Sequence, residues 1–386
     1  MPHSPATAHL ASRWRSRHFG GSLGIATVVP LMLGLVLVAA ACGSGPSAHI
    51  ASGRAAVRGC SPMYGTFSAA NPPPACWRPY AASSPFNRPL PAHPRLQPGS
   101  AAIVGRLLGF GPLQNLTVSA TGQTDTGARP LYFSSAGDPS FRLHCTAAWG
   151  RCPLEGMSVH IPDAAMPAAQ GDRHLTVVDQ RAGVEYDMWE VHTKPPGGGE
   201  LTFSWGGRTP IDGNGLGSSA VAAGFGTAAG ILRAQELAAG QINHALFLAV
   251  KCDSGSVYPA TRGGQMCSEL GLSNQDAPAL GARFQLAMSR RQIRALPVPP
   301  WKKTILTAMA RYGLIVGDTG GAWAIPKDTD ARYRGLDRPN PWLAVAQRAG
   351  VPYYGPDMDY VFNLNNGVDW RRYLRVVAPC VSAGHC

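Results

Sequence analysis

The sequence predicts a mainly β fold, an antiparallel β-sandwich or jelly roll with a few packed helices. Glycine and proline are abundant, at 46 and 34 of 386 residues, and only 15% of the residues are charged. Such a composition favours strands, turns and long loops over a helical bundle. Between residues 130 and 206, short apolar runs are separated by Gly, Pro and Asp. Runs of this kind indicate antiparallel strands.

The amino-terminal residues have the composition of an export signal. Three arginines precede an almost purely apolar stretch from Leu23 to Ala41, which ends in small residues before Cys42. This order is typical of a secretory signal. The stretch resembles a bacterial lipoprotein signal, which implies that Cys42 is lipidated and anchors the protein to the outer face of the cell membrane. An uncleaved anchor helix or an ordinary cleaved signal is the alternative.

These features define the domains and the compartment. Residues after the cysteine are mostly Gly, Ser and Ala, which is typical of a flexible linker. A lipoprotein signal, an uncleaved anchor helix and an ordinary cleaved signal would each place the remaining chain outside the cytoplasm. We predict a signal peptide over 1–41, a tether over 42–58 and a single β-rich extracellular domain over 59–386.

Apart from Cys42, eight cysteines remain, and they fall into neighbouring pairs along the chain. An even number of cysteines outside the cytoplasm favours disulfides. A metal site is the alternative, but the sequence contains no CxxC motif and no clustered Cys/His spacing. We predict no metal and no cofactor. Proximity along the chain favours the pairs Cys60–Cys76, Cys145–Cys152, Cys252–Cys267 and Cys380–Cys386.

The formal net charge is +12, and the basic residues are scattered along the chain. No basic stripe with interleaved aromatic residues is present, so we predict no nucleic-acid partner. For an extracellular protein the excess of positive charge suits an anionic envelope polymer or simply solubility. The sequence does not predict an oligomeric state.

The chain is organised around the stretch from Thr227 to Cys252, which predicts a helix, a glycine stop at Gly240 and a strand. Both faces of that strand are apolar, so we expect it to be central in its sheet. Asn243 and His244 are the exceptions to this apolar pattern. A buried polar group needs a hydrogen-bond partner or a functional role. Either the two residues form a hydrogen-bonded core pair, or this end of the strand opens into a cleft.

The other elements are predicted from local patterns. Residues 60–98 form an extended Pro-rich belt, because proline excludes a regular helix. The hairpin with strands around Leu175–Asp179 and Glu185–Val191 has the clearest alternation. The Gly-rich segment 206–226 lacks the strand and the GK[ST] of a nucleotide loop. We therefore predict a mobile loop that covers the helix of the organising stretch. A helix over 301–312 ends at Gly313 and leads to a strand and a polar turn at Asp318.

Several segments resemble a group of secreted bacterial proteins. They are SPFNRPLP, HLTVVD with YDMW, GQINHAL, GARFQL and ARYGLIVGDTGG, which together cover roughly residues 80 to 325. The resemblance implies a jelly-roll-like β domain, and it is distantly similar to β-sandwich polysaccharide lyases and hydrolases. The QINH motif is similar to their Gln-x-His pattern but departs from it by one residue. No catalytic role is therefore transferred to Gln241 and His244.

The sequence lacks the motifs of serine hydrolases, zinc proteases, P-loop proteins and EF-hands. Carboxylates, histidines and an arginine near strand ends remain, and this set suits glycoside hydrolysis or a lyase reaction on an acidic sugar. We therefore expect a lipid-anchored enzyme that acts on polysaccharide, with a non-catalytic glycan-binding or structural lipoprotein as the alternative. The predicted catalytic residues are His244, Asp318 and Asp179, and the predicted substrate-binding residues are His174, Asp187, Glu236 and Arg283. The competing interpretation is that they are independent buried pairs that only stabilise the fold.

Overall fold

The structure is a computed structural model, and the residues that it describes belong to one compact unit. The predicted signal, the tether and Cys42 lie outside the described residues. The described ranges are 64–68, 70–119, 128–169, 171–218, 220–329, 339–354 and 359–386.

The β-rich class is confirmed, since strand is more abundant than helix, 26% against 18%. The helices of the described residues are short. The longest of them corresponds to the helix predicted over residues 301–312. They are α1 Ser100–Gly109, α2 Ala234–Ala239, α3 Arg290–Ala295, α4 Pro300–Arg311, α5 Pro341–Arg348, α6 Trp370–Tyr373 and α7 Pro379–Ala383.

The strands include every run that alternation indicated between residues 130 and 206. They are β1 Leu116–Ser119, β2 Leu131–Ser134, β3 Ser140–Cys145, β4 Ser158–His160, β5 Leu175–Asp179, β6 Val184–Thr193, β7 Gly199–Pro210, β8 Leu246–Val250, β9 Arg283–Leu286, β10 Leu314–Thr319, β11 Tyr353–Tyr354, β12 Asp359–Phe362 and β13 Leu374–Val377.

The strands form three sheets, of which two are mixed. The six-stranded sheet has the order β2-β5-β6-β7-β3-β4, the four-stranded sheet β13-β9-β10-β8, and the three-stranded sheet β1-β12-β11. A wholly antiparallel arrangement was therefore a wrong expectation, because β2–β5, β3–β7 and β8–β10 pair in parallel. Parallel pairing needs a long connection between the two strands, and alternation within single strands does not reveal which distant strands will pair.

The organising stretch folds as helix, stop and strand, with two differences from expectation. Helix α2 begins only at Ala234, and Gly240 ends it in the left-handed conformation at φ 67°. Strand β8 is the last strand of its sheet rather than a central one. It is still buried, because neighbouring chain covers its open edge: the Phe247 N–H donates to the Gly230 carbonyl, and Ala249 pairs with Ala324.

The two faces of strands β5 and β6 have different environments, and this difference positions the buried polar groups. On one face, Leu175, Val177 and Met188 belong to an apolar cluster confined to the six-stranded sheet. On the other face, Thr176 lies opposite Asp187 in the register. Alternation along the strands therefore places His174 and Glu185 on this second face as well.

The predicted disulfides Cys145–Cys152, Cys252–Cys267 and Cys380–Cys386 are confirmed. Cys76 is disulfide-bonded, and its predicted partner Cys60 lies outside the described residues. Across the described part of the chain, none of the helices combines the length and apolar character that a membrane crossing requires.

Candidate functional site

Three tryptophan side chains meet at the surface of the six-stranded sheet. Trp189 on β6 lies opposite Trp205 on β7. Trp149 stacks on Trp189, with ring centroids 5.4 Å apart and an angle of 26° between the planes, and its centroid is 5.7 Å from that of Trp205. Trp149 is 47% exposed. We call Trp149, Trp189 and Trp205 the tryptophan cluster; an exposed stacked indole of this kind offers a flat apolar binding surface.

The loop that carries Trp149 is held in place by covalent and backbone bonds. The disulfide Cys145–Cys152 closes the loop. Its first residues run beside β7, since the Thr146 N–H donates to the Phe203 carbonyl at 2.9 Å and the Ala147 N–H donates to the Ser204 carbonyl at 3.0 Å. These constraints reduce the conformational entropy that Trp149 would lose on binding a ligand.

Polar side chains adjoin the tryptophan cluster along the same strands. The Ser204 hydroxyl donates to Glu190 Oε2 at 2.6 Å, and His192 Nε2 lies 3.2 Å from Ser204 Oγ. Glu190 has a φ of 52°, in the left-handed region that non-glycine residues seldom adopt. Strained residues of this kind concentrate at functional sites. Glu190 is partly exposed and His192 is exposed, so their carboxylate and imidazole can bond sugar hydroxyls, whereas Ser204 is buried between them.

Strand β6 also carries a pair of carboxyl groups, Glu185 and Asp187, both fully buried. Burial, and then the neighbouring Asp187 carboxylate, raises the pKa of Glu185 well above its usual range. Burial also raises the pKa of Asp187, and hydrogen bonds from its neighbours oppose that change. The Tyr80 hydroxyl donates to Glu185 Oε2 at 2.6 Å, so the pair is bonded on several sides. Since neither carboxyl group is accessible, neither can contact a substrate in this structure.

The Gly-rich segment was expected to be a mobile cover, and that expectation is wrong. Residues 206–210 of the segment belong to β7, and its described residues from 220 to 226 are mostly buried. The Ala222 N–H donates to Asp318 at 3.3 Å, and directly after the segment the Thr227 and Ala228 N–H groups donate to Asp187 at 3.2 Å and to Glu185 at 2.8 Å. Glycine at position 226 lets the chain lie close to the sheet, because a Cβ there would meet the Tyr80 hydroxyl oxygen and lie 3.1 Å from Glu185 Oε1.

The three predicted catalytic residues do not converge. His244 Nε2 lies 2.8 Å from Glu236 Oε1, Asp318 Oδ2 accepts from Arg129 Nη2 at 2.8 Å, and Asp179 Oδ1 accepts the backbone N–H groups of the hairpin turn after it. In the parallel pair β8–β10, Asp318 lies beside Ala249. His244 is five residues earlier in the chain, or about 16 Å at ~3.3 Å per residue.

His244 precedes β8, whereas Asp318 lies near the end of β10, so the two residues lie at opposite ends of the paired strands. Each residue is instead part of a separate internal network. Asp318 is linked to the six-stranded sheet through Arg129, whose guanidinium also lies 4.2 Å from the centroid of the Phe247 ring.

The predicted substrate-binding residues are also buried. Glu236 and Asp187 are bonded internally. Arg283 Nε donates to the Tyr312 carbonyl at 2.7 Å, and burial followed by repulsion from Arg88 lowers the pKa of Arg283 to about 9. His174 has neither ring nitrogen hydrogen-bonded, and burial, then the Arg129 charge, lowers its pKa well below the usual range. His174 and Asp187 do lie on the same face of the β5–β6 pair. This is the face that carries the buried polar side chains.

Sequence reasoning missed the tryptophan cluster and its polar neighbours Glu190, His192 and Ser204. One signal was present: Trp189 and Trp205 are equally spaced about Gly197 in a Pro-Gly turn, which predicts that they pair across the hairpin. A tryptophan inside a short cysteine-closed loop was a second signal.

Within the ranges that the structure describes, no group of three or more His, Cys, Asp or Glu side chains is arranged to hold a metal ion. Comparison of the chain with protein-family models, with curated proteins and with solved structures finds no match.

Proposed function

We propose that this protein binds polysaccharide at the tryptophan cluster. The observation that carries the proposal is the exposed Trp149 ring stacked on Trp189. A pyranose ring presents C–H groups on one face, and these pack against the negative face of an indole. The hydroxyls at the edge of the sugar would bond Glu190 and His192, which lie next to the cluster in the chain.

Binding has more structural support than catalysis. A hydrolase needs two carboxyl groups about 5–10 Å apart on either side of the scissile bond, and a lyase needs a base that reaches the substrate. Asp179, His244 and Asp318 are each hydrogen-bonded to different partners within the protein, as described above. The catalytic alternative would have to use Glu190 with His192, where a carboxylate and an imidazole share the Ser204 hydroxyl.

Truncation of Trp149 tests the proposal. Trp149→Ala is expected to weaken binding to the preferred polysaccharide at least tenfold, because an aromatic side chain at the centre of a binding surface contributes ~1.4 kcal/mol or more. The measurement is pull-down on insoluble cellulose, chitin, alginate and peptidoglycan, followed by calorimetry with oligosaccharides of the one retained.

Tyr354→Ala is the matched control, because Tyr354 is an exposed aromatic residue, at 60%, on another sheet. It is expected to bind like the wild type. Equal affinity of wild type and Trp149→Ala, or no retention of the wild type on any of the four polymers, would exclude the proposal. Release of reducing ends or absorbance near 235 nm during the incubation would favour the catalytic alternative.

We also propose that the protein is tethered to the outer face of the cell membrane through Cys42. The three disulfides support an oxidising compartment outside the cytoplasm. Cells fed a fatty-acid analogue should label the wild-type protein, and the label should be lost in Cys42→Ala, because only the cysteine thiol would carry the lipid. Label retained in Cys42→Ala would contradict the anchor.

We infer in addition that the six-stranded and four-stranded sheets pack face to face as a sandwich. One apolar cluster holds Phe133 and Val178 from the first sheet together with Phe247 and Ile315 from the second, which supports this packing. Amide hydrogen exchange should then show one cooperative opening for both sheets. A six-stranded sheet that exchanges at a distinctly lower free energy would argue against it.

A further inference from the structure

A second site lies away from the tryptophan cluster, in a pocket of about 330 Å³ between α3, α4 and the chain that joins α2 to β8. Four cationic side chains line it: Arg290 and Arg294 from α3, and Lys303 and Arg311 from α4. Among the described residues that line the pocket there is no Asp or Glu. The pocket therefore concentrates positive charge.

Among the described residues, these four charges have no acidic partner. In the described part of the chain, none of the four is in a salt bridge. The Lys303 ammonium donates to the Arg294 carbonyl at 2.7 Å, and the Arg311 guanidinium lies 5.1 Å from the Tyr312 ring centroid. Both contacts leave the positive charge without a counter-ion. Like charges held in one pocket repel each other, and a bound anion would relieve that repulsion.

The wall of the pocket also contains a buried amide. Asn243 is 5% exposed, its Oδ1 accepts from Gln241 Nε2 at 2.9 Å, and its Nδ2 has no hydrogen-bond partner among the described residues. Because Nδ2 has almost no accessible surface, a ligand in the pocket would contact the four cations and not this donor.

The neighbouring residues fix Asn243 in this position. Gly240 ends α2 with a left-handed turn, and the side chain of His244 is bonded on both sides, to Glu236 Oε1 at 2.8 Å and to the Ala245 carbonyl at 2.9 Å. Asn243 thus lies on a short segment with little freedom. The wall behind the four cations is therefore rigid, and a rigid site binds a ligand with less reorganisation.

We propose that this pocket binds the phosphate group of a small phosphomonoester. Arginine forms bidentate hydrogen bonds with phosphate oxygens, and a dianion matches a pocket with several cations better than a single carboxylate does. The volume is at the lower end of the range for small-molecule sites, about 300–1,000 Å³, which leaves room for the phosphate and one small ring. The ester could be a free metabolite or a phosphorylated sugar at the end of an envelope polymer.

Calorimetry with glucose 6-phosphate, inorganic phosphate and glucose at low ionic strength tests the proposal. Glucose 6-phosphate and phosphate are expected to bind the full-length protein, and glucose is not. Affinity should fall as salt is added, because the exposed cations are screened. A phosphorylated oligosaccharide that binds more tightly than glucose 6-phosphate would identify the polymer end as the source.

Arg294→Gln and Arg311→Gln are each expected to weaken binding of glucose 6-phosphate at least tenfold. Arg372→Gln is the matched control, because Arg372 also lies in the last turn of a helix and over the next aromatic ring, 5.2 Å from the Tyr373 centroid, but it does not line the pocket. It should bind like the wild type. All three arginines are exposed, so melting temperatures should be unchanged.

The proposal is overturned if the wild type binds neither phosphate nor the ester at millimolar concentration, or if Arg294→Gln and Arg311→Gln bind as well as Arg372→Gln. Polysaccharide binding should be unaffected by these substitutions, and Trp149→Ala should keep its affinity for glucose 6-phosphate. The proposal for the phosphate site and the proposal for the tryptophan cluster can therefore be tested independently.

Discussion

Replacing Glu236 by alanine is expected to lower the free energy of unfolding by about 3–5 kcal/mol, the cost of breaking a buried ion pair from one side. Glu236 is fully buried. Its Oε1 accepts from Arg233 Nη2 at 2.8 Å and lies 2.8 Å from His244 Nε2, and its Oε2 accepts the Arg233 N–H at 2.9 Å. The alanine variant leaves the Arg233 guanidinium buried without its carboxylate.

Urea unfolding at neutral pH measures this loss. The matched control is Glu269→Ala, because Glu269 is exposed, and substitutions at exposed positions usually change stability by less than about 0.5 kcal/mol. A Glu236→Ala protein as stable as the control, but with lost polysaccharide binding, would favour the functional interpretation of His244 and Glu236 over the structural one.

The same network has a defined response to acid. Burial alone would raise the pKa of Glu236, but the charges of Arg233 and His244 lower it below its ordinary value of 4.5. The folded protein therefore favours the ionised carboxylate more than the unfolded chain does. The resulting stability is present above pH 4.5 and is lost as the pH falls through the lower pKa of the folded state.

Local features of the fold could be predicted from the sequence, because their causes are local. Gly240 ends α2, since glycine alone adopts its backbone conformation without cost. The hairpin of β5 and β6 follows from alternation and a turn. The partners of β2, β3 and β8 could not be predicted in this way, because each pairs in parallel with a strand that is distant in the chain.

The error over His244 and Asp318 has a specific physical cause. Both strands follow a helix that ends in glycine, and both run in the same direction in the sheet. However, His244 precedes its strand, whereas Asp318 lies near the end of its strand, so parallel pairing places them at opposite edges. The tryptophan cluster was missed because it joins a hairpin to a loop from β3, and this contact forms only in the folded chain.

Replacing Asp187 by alanine is expected to destabilise the fold by at least about 3 kcal/mol. Its carboxylate accepts from Thr176 Oγ1 at 3.0 Å, from Ser218 Oγ at 2.8 Å and from the Thr227 N–H at 3.2 Å. Each buried donor that loses its acceptor costs about 1–3 kcal/mol. Calorimetric unfolding measures the change, and Asp369→Ala, at a helix end with one backbone donor, is expected to cost only about 1 kcal/mol.

The partner carboxyl, Glu185, should give the protein a pH dependence of the opposite sign to that of Glu236. Burial and the charge of Asp187 raise the pKa of Glu185 well above its ordinary value of 4.5, so the folded state binds its proton more tightly than the unfolded chain does. The resulting stability is complete below pH 4.5 and is lost as the pH rises through the pKa of the folded state.

Glu185→Gln isolates this effect, because glutamine has the same shape, stays neutral and can donate its amide N–H to Asp187. The variant is expected to lose less stability than the wild type between pH 5 and pH 9 and to be the more stable of the two at pH 9. Urea unfolding across that range measures both slopes. Glu269→Gln, which changes an exposed carboxylate, should keep the wild-type slope. If Glu185→Gln also keeps that slope, the pKa of Glu185 is not raised in the folded protein, and the expected pH dependence is wrong.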